Sequence, residues 1–195
     1  MQHDRIKKLK LAARQDEIER EMERYELFIA GPYIDKSKER SDPDNSSSEG
    51  KCIRFDVFKY YEEKWHNIYL GEDVELRKIG SSHYGSSSNA VFFERHYITK
   101  NIDVLIVFPD GPGVFCEFGD WASTPSTCQK MLVIINKKYE GKSSYINDGT
   151  AKAAKHFGAA IVYETYTDFG AVIARCDNFI DIRASSARVE KLYGR

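Results

Sequence analysis

Apolar residues along this chain fall into two patterns, short continuous runs and longer stretches with helical spacing. The segments 103–108 and 129–136 contain the continuous apolar runs 104–108 and 131–135, which are typical of strands covered on both faces of a parallel sheet. Runs of strand length occur at 27–33, 67–70, 103–108, 129–136 and 159–163, and helical spacing at 52–65, 90–100, 114–122, 149–157, 167–177 and 184–192. This alternation predicts an α/β fold, a Rossmann/flavodoxin-like doubly wound sandwich with about five mostly parallel strands.

Two polar segments lie outside this alternation. Residues 3–24 predict an extra, charged N-terminal helix, so we divide the chain into this helix (1–24) and an α/β domain (25–195). The helix has a thin apolar stripe, and two interpretations remain open: packing on its own domain, or docking onto a second subunit or a protein partner. Residues 35–50 are rich in Ser, Asp and Asn, which predicts a mobile loop that can act as a lid.

Composition narrows the class of protein. The chain has 195 residues and a net charge of −1, so there is no global attraction to nucleic acid or to an anionic membrane. No apolar run is long enough to span a membrane, and we expect a cytoplasmic protein with no membrane association. The four cysteines lack metal-site spacing and are expected to be reduced; Cys116 is read either as a small buried apolar residue or as a catalytic thiol.

The end of the third predicted strand carries the main candidates for chemistry. Asp110 and Glu117 flank a Gly-Pro-Gly turn between this strand and the next helix, in which Gly111 and Gly113 leave room for a substrate. Ligands of open α/β sheets bind outside the carboxyl ends of strands. Glu117 is expected in the first helical turn, where the helix dipole stabilises the carboxylate and suits it to act as a nucleophile or to stabilise an oxocarbenium ion. The alternative is an acid that only complements the helix dipole.

Two further segments are candidate substrate contacts. Gly31 and Pro32 follow the first strand, where a glycine lets a ligand approach the backbone, and Tyr33 follows them as a stacking or hydrogen-bonding group. A hydroxyl-rich loop entering a helix predicts a phosphate contact, and its candidate residues are His83, Ser86, Ser87, Ser88 and Asn89. An ordinary strand-to-loop turn and a simple helix cap are the respective alternatives.

Together, the motif around Gly31-Pro32-Tyr33 and the motif Asp110-Gly-Pro-Gly-x-x-x-Glu117-x-Gly resemble the nucleoside 2-deoxyribosyltransferase-like family over residues 25–165. The related Rossmann-like folds include phosphoribohydrolases and TIR-type NAD glycohydrolases. The resemblance implies that Glu117 is the nucleophile, that Asp110 contacts the base and that Tyr33 orients the nucleophile. Pro112 and Phe115 depart from the family pattern and make the segment more apolar.

The implied activity is cleavage or transfer at the N-glycosidic bond of a nucleoside, nucleotide or NAD-like substrate, with no cofactor and no metal. A carboxylate near the anomeric carbon stabilises the oxocarbenium-like transition state of this reaction. The two polar additions are similar to those of transferase-like effectors in bacterial antiphage systems. Alternatives are a non-catalytic nucleotide-sensing module and a nucleoside-monophosphate phosphoribohydrolase, and the resemblance implies a homo-oligomer.

Overall fold

Five strands make one all-parallel sheet in the computed structural model, which describes residues 6, 10, 11, 14, 24–64, 66–76, 78, 79 and 90–193. The strands within these ranges are β1 (Glu26–Ala30), β2 (Asn67–Tyr69), β3 (Val104–Val107), β4 (Met131–Asn136) and β5 (Ala160–Glu164). The helices are α1 (Pro43–Ser46), α2 (Glu49–Glu63), α3 (Ala90–Asn101), α4 (Pro112–Trp121), α5 (Pro125–Cys128), α6 (Ala151–His156) and α7 (Phe169–Tyr193). A 3₁₀ turn (Lys137–Tyr139) follows β4, and a π turn (Ile146–Thr150) precedes α6.

The strand order is β2-β1-β3-β4-β5, which is the flavodoxin-like order. Because β1 is hydrogen-bonded to β2 on one side and to β3 on the other, the order reverses between β1 and β3. At this reversal Ala30 is aligned with Val107, so the two strands end at the same edge of the sheet. The predicted fold class is confirmed.

Helices cover both faces of the sheet and enclose two separate cores. Alternate strand residues such as Leu27 and Ile29 pack against α2 and α7, whereas Phe28 and Ala30 pack against α3, α4 and α6. This alternation follows from the pleat of a strand, which directs successive side chains to opposite faces. The result is a three-layer sandwich in which α2 and α4 lie on opposite sides of the sheet.

The C-terminal helix is longer than the sequence pattern predicts. We expected separate helices at 167–177 and 184–192, but α7 runs without a break from Phe169 to Tyr193. Residues 178–183 contain neither glycine nor proline, so nothing in the backbone chemistry ends the helix between the two periodic stretches. The prediction of two helices was therefore wrong.

The polar segment 35–50 is folded around one buried side chain. Asn45 is fully buried; its Oδ1 accepts a hydrogen bond from Asp35 N at 2.8 Å, and its Nδ2 donates to Asp35 O at 2.9 Å and Glu39 O at 3.0 Å. The segment also contains α1 and the first two residues of α2. An amide side chain can close a polar loop that has few apolar residues, because it pairs several backbone groups at once. The structure therefore does not support the prediction of a mobile lid.

The predicted N-terminal helix 3–24 falls largely outside the described residues. Four of its residues, Ile6, Lys10, Leu11 and Arg14, are described and helical, and Ile6 and Leu11 are exposed. The division of the chain into 1–24 and 25–195, and the partner surface on this helix, stay predictions.

If Asn45 closes the segment, Asn45→Ala leaves the backbone N–H of Asp35 without this acceptor and removes one hydrogen bond from each of the carbonyl groups of Asp35 and Glu39. We expect a loss of about 2 kcal/mol in the free energy of unfolding, in the range for an unsatisfied buried polar group. The amides of residues 35–42 should also exchange faster with solvent. Urea denaturation and hydrogen exchange measure both effects.

The matched control is Asn101→Ala, since the Asn101 side chain is exposed and donates one hydrogen bond, to Tyr97 O at 3.3 Å. This change should alter stability by less than about 0.5 kcal/mol, as surface substitutions do. Equal effects of the two alanine variants would contradict the proposed role of Asn45.

Candidate functional site

The candidate site lies where the carboxyl ends of β2, β1 and β3 meet at one edge of the sheet. The reversal of strand order between β1 and β3 makes this edge the place where open α/β sheets bind ligands. Phe108 N donates to Ala30 O at 2.9 Å, so the segment after β3 begins directly beside Gly31. Residues that follow three neighbouring strands are thus placed together.

A buried arginine occupies this edge. Arg54, on α2, is 1% exposed and donates from Nη2 to Ile29 O at 2.7 Å and from Nη1 to Pro32 O at 2.9 Å. It also forms a two-pronged ion pair with Glu72, with Nη1–Oε1 at 2.7 Å and Nη2–Oε2 at 2.9 Å. The arginine therefore links α2 to the backbone after β1 and to the turn after β2.

Glu72 completes this link from the other side. Its Oε1 accepts a hydrogen bond from Ile34 N at 3.2 Å in addition to the one from Arg54. The ion pair is shielded, since 2% of the Arg54 side chain and 16% of the Glu72 side chain are exposed. Both charges have partners, which is the condition under which a buried ion pair is tolerated.

Gly31 makes room for the arginine. A Cβ at this position would lie 2.7 Å from Arg54 Cδ and 3.3 Å from Phe108 Cβ. We predicted that the missing side chain admits a ligand, but the protein's own side chains fill that space. Gly31 is thus required for packing, and its role as a substrate contact stays a prediction.

Glu117 lies on α4, next to the Arg54–Glu72 pair. It is half-buried between Val114 and Trp121, which precede it by three residues and follow it by four on the helix surface. Burial raises the pKa of the Glu117 carboxyl; the positive charge of Arg54 lowers it, and the negative charge of Glu72 raises it further. Arg54 and Glu117 come from opposite faces of the sheet and interact across its edge.

This geometry corrects two expectations about Glu117. The helix begins at Pro112, so Glu117 lies in the second turn, and no acidic residue lies in the first. The helix dipole acts mainly within the first turn, whereas burial dominates here and disfavours the anion. The prediction that the helix start stabilises the Glu117 carboxylate was wrong.

Asp110 is held at the start of α2. A Cβ on Gly50 would lie 2.2 Å from Asp110 Oδ2, so the carboxylate occupies the space that the glycine leaves. Asp110 also acts electrostatically on Tyr166, whose pKa is raised by burial and then by the Asp110 charge. The described contacts join Asp110 to α2 and Tyr166, while those of Glu117 join it to Arg54 and Glu72.

Other predicted residues lie at the same edge with varied surroundings. Tyr33 is 54% exposed. Gly111 faces Pro32, and a Cβ at Gly111 would lie 3.8 Å from Pro32 Cβ. Gly111 has φ 158° and ψ 156°, a conformation essentially restricted to glycine. Gly113 is open, since a Cβ at this position would meet no atom within 4 Å. His83, Ser86, Ser87, Ser88 and Asn89 lie outside the described residues.

The burial of Cys116, next to Glu117, differs from our expectation. Cys116 is exposed, which contradicts its interpretation as a buried apolar residue, and all four cysteines are free. Phe115 is also exposed, at 38%. Both follow from α4 burying Val114, Phe118 and Trp121, which leaves 115 and 116 on the opposite side.

Arg54 and Glu72 were missed by sequence reasoning, although one signal was available for Arg54. The buried face of α2 comprises Gly50, Ile53, Arg54, Phe55, Val57, Phe58 and Tyr61. A charged residue inside such a stripe indicates a buried ion pair or a functional group. Glu72 lies in a stretch with no clear periodicity and gave no comparable signal.

Two further properties concern only the described part of the chain. Its His, Cys, Asp and Glu side chains form no group of three or more that could bind a metal ion. None of its helices is both long enough and apolar enough to cross a membrane.

The fold and the site define a parallel α/β protein of flavodoxin-like strand order with a carboxylate beside a buried ion pair at the switch point. Residues 50–193, well over half of the chain, match the STM3845 retron effector protein family. The chain belongs to this family, and the matched residues include Arg54, Glu72, Asp110 and Glu117.

A curated relative adds a second similarity. An Escherichia coli protein named "Retron Ec86 putative ribosyltransferase/DNA-binding protein" is 27% identical over 109 residues. The alignment covers 56% of this chain and 34% of that protein, so the chain spans about a third of the relative's length. Neither of the two names specifies a nucleoside 2-deoxyribosyltransferase.

The packing of Gly31 against Arg54 leads to a test by a pair of alanine substitutions. Gly31→Ala forces a methyl group against Arg54 Cδ, and we expect a loss of about 1–3 kcal/mol in the free energy of unfolding. Gly119→Ala in α4 meets no atom within 4 Å and should stabilise the protein by about 0.5–1 kcal/mol, since alanine favours helix. Urea denaturation compares them; a Gly31→Ala variant as stable as the wild type would contradict the packing argument.

The raised pKa of Glu117 predicts a pH-dependent effect of Glu117→Gln on stability. A carboxyl whose pKa is higher in the folded than in the unfolded state stabilises the fold below the unfolded pKa, and this stabilisation is lost as pH rises through the folded pKa. As the pH rises from about 4, near the ordinary pKa of a glutamate, to about 7, the glutamine variant should therefore become progressively more stable relative to wild type. A difference in unfolding free energy that stays constant over this range would contradict the burial effect.

Proposed function

We propose that this retron effector protein cleaves or transfers at the N-glycosidic bond of a nucleoside, nucleotide or NAD-like substrate, with Glu117 as the catalytic carboxylate. The observation that carries the proposal is the half-buried Glu117 beside the Arg54–Glu72 pair at the β1/β3 switch point. A shielded carboxylate with a shifted pKa at a ligand-binding edge is a strong candidate for chemistry.

The chemistry fits this group without further assumptions. The bond between the anomeric carbon and the base nitrogen breaks, and its electron pair leaves with the base, which takes up a proton from water. The ionised Glu117 oxygen stabilises the positive charge that develops on the sugar and forms an ester bond to the anomeric carbon. Water then cleaves this ester in hydrolysis, or a second base does so in transfer.

Asp110 and Tyr33 have supporting roles in the proposal. Asp110 follows β3 and is held against Gly50, which gives its carboxylate a fixed place from which to contact a base. The exposed Tyr33 follows β1 at the same edge and offers a ring and a hydroxyl group to a substrate. The exposed Phe115 and the open side of Gly113 add an apolar and an unobstructed surface nearby.

The Escherichia coli relative supports the class of reaction. The Escherichia coli relative is named a ribosyltransferase, and ribosyl transfer also proceeds at the anomeric carbon of a sugar. The DNA-binding part of that name describes a protein about three times as long as the aligned region, so we do not extend it to this chain. A homo-oligomer and a protein partner on the N-terminal helix remain parts of the proposal.

The decisive experiment compares Glu117→Gln with wild type in the release of free base from nucleosides, nucleoside monophosphates and NAD, followed by chromatography. We expect release to fall by at least about a hundredfold, the usual effect of removing a charged catalytic group. The rate should also fall as pH decreases, because the nucleophile must be ionised.

Asp120→Asn is the matched control, since it removes a carboxylate charge from the next turn of the same helix. Asp120 is paired with Arg95, with Nε–Oδ2 at 2.9 Å, and not with the groups around Glu117. This variant should release base at close to the wild-type rate. Full release by Glu117→Gln would refute the proposal, and binding of these ligands without any release would favour the sensing module instead.

A further inference from the structure

Every donor of the Arg54 guanidinium is already used within the protein. A guanidinium has five N–H groups. Nε donates to Ile29 O at 3.2 Å, Nη2 donates to Ile29 O and Glu72 Oε2, and Nη1 donates to Pro32 O and Glu72 Oε1. No N–H group remains for a phosphate or a sugar hydroxyl, so Arg54 does not bind substrate through its guanidinium in this arrangement.

We propose that Arg54 and Glu72 are positioning residues. Their hydrogen bonds hold the turn after β1 in place, and their opposite charges balance each other beside Glu117. This inference rests on the proposed function, because it assigns the pair a role in that reaction.

The first part of the role follows from the hydrogen bonds. Arg54 holds the carbonyl groups of Ile29 and Pro32, and Glu72 holds the amide of Ile34. The turn that carries Gly31, Pro32 and Tyr33 is therefore fixed at both ends by one ion pair. Loss of either partner releases one end of this turn and with it the position of Tyr33.

The second part follows from charge. Arg54 and Glu72 act on Glu117 in opposite directions, so the two members of an intact pair oppose each other, and burial is the largest influence. Arg95 on α3 is neutralised by Asp120, and Asp110 faces Gly50 and Tyr166. Removing one member of the Arg54–Glu72 pair should therefore expose Glu117 to an unbalanced charge.

The test uses two variants that unbalance the pair in opposite senses. Glu72→Gln leaves a net positive charge and should move the acid limb of the pH profile of kcat/KM to lower pH. Arg54→Met leaves a net negative charge and should move it to higher pH. Loss of packing alone has no reason to move the limb in opposite directions.

Arg54→Lys separates charge from geometry and also serves if Arg54→Met does not fold. Lysine keeps the positive charge but has three donors instead of five and no planar fork, so it cannot reproduce the five hydrogen bonds of Arg54 or its two-pronged pair with Glu72. We expect the acid limb to stay near its wild-type position while kcat falls by about ten- to a hundredfold, as misplaced catalytic groups cause.

The matched control is Asp56→Asn, which breaks a second two-pronged pair of the same helix. Asp56 accepts from Arg40 Nε at 2.6 Å and from Nη2 at 3.1 Å, but both side chains are partly exposed and lie outside the site. This variant should leave both kcat and the pH profile unchanged.

A substrate-free readout separates this inference from the proposed function. The Glu117 carboxyl is titrated by ¹³C NMR in each variant, and its pKa should fall in Glu72→Gln and rise in Arg54→Met. Unshifted titrations and unshifted limbs, with base release still dependent on Glu117, would overturn the inference and leave the function standing. If the pKa of Glu117 shifts as expected but no variant, wild type included, releases base, the proposed function is overturned. The influence of the Arg54–Glu72 pair on Glu117 then still stands.

Discussion

Burial of the Arg54 guanidinium is the constraint on which the candidate site depends. A charged group in the interior is tolerated only when each of its polar atoms has a partner, and removal of one partner of a buried ion pair typically costs about 3–5 kcal/mol. The partners of Arg54 are carbonyl groups at and beyond the end of β1 and the carboxylate that follows β2. These requirements fix the course of the connection after β1 and of the connection after β2, and they exclude a side chain at Gly31.

The strand order turns this local constraint into a site. Arg54 belongs to a helix on one face of the sheet and Glu117 to a helix on the other, and the sheet separates them except at its edge. The charge of Arg54 acts on Glu117 at the edge where β1 and β3 end and the strand order reverses. On α4, Glu117 is a carboxylate that senses the charges of both members of the pair.

The sequence allowed the sheet to be predicted because each strand is a short apolar run bounded by polar residues, as in Val104–Val107 and Met131–Asn136. Asp110 and Glu117 could be placed at a strand end for the same reason. The environment of Glu117 could not be predicted, since Arg54 and Glu72 reach it from distant parts of the chain. The packing of Asp110 on Gly50 likewise depends on tertiary contacts that leave no local pattern.

The chain belongs to the family of STM3845 retron effector proteins. Our proposal is that the edge between β1 and β3, where the strand order reverses, binds a nucleotide-type ligand beside Glu117. The most direct measurement is backbone NMR of the 195-residue Glu117→Gln protein titrated with nucleosides, nucleoside monophosphates and NAD. The account predicts that at least one of these ligands shifts resonances concentrated at 31–34 and 109–117. Shifts concentrated elsewhere, or no shifts with any of these ligands, would contradict it.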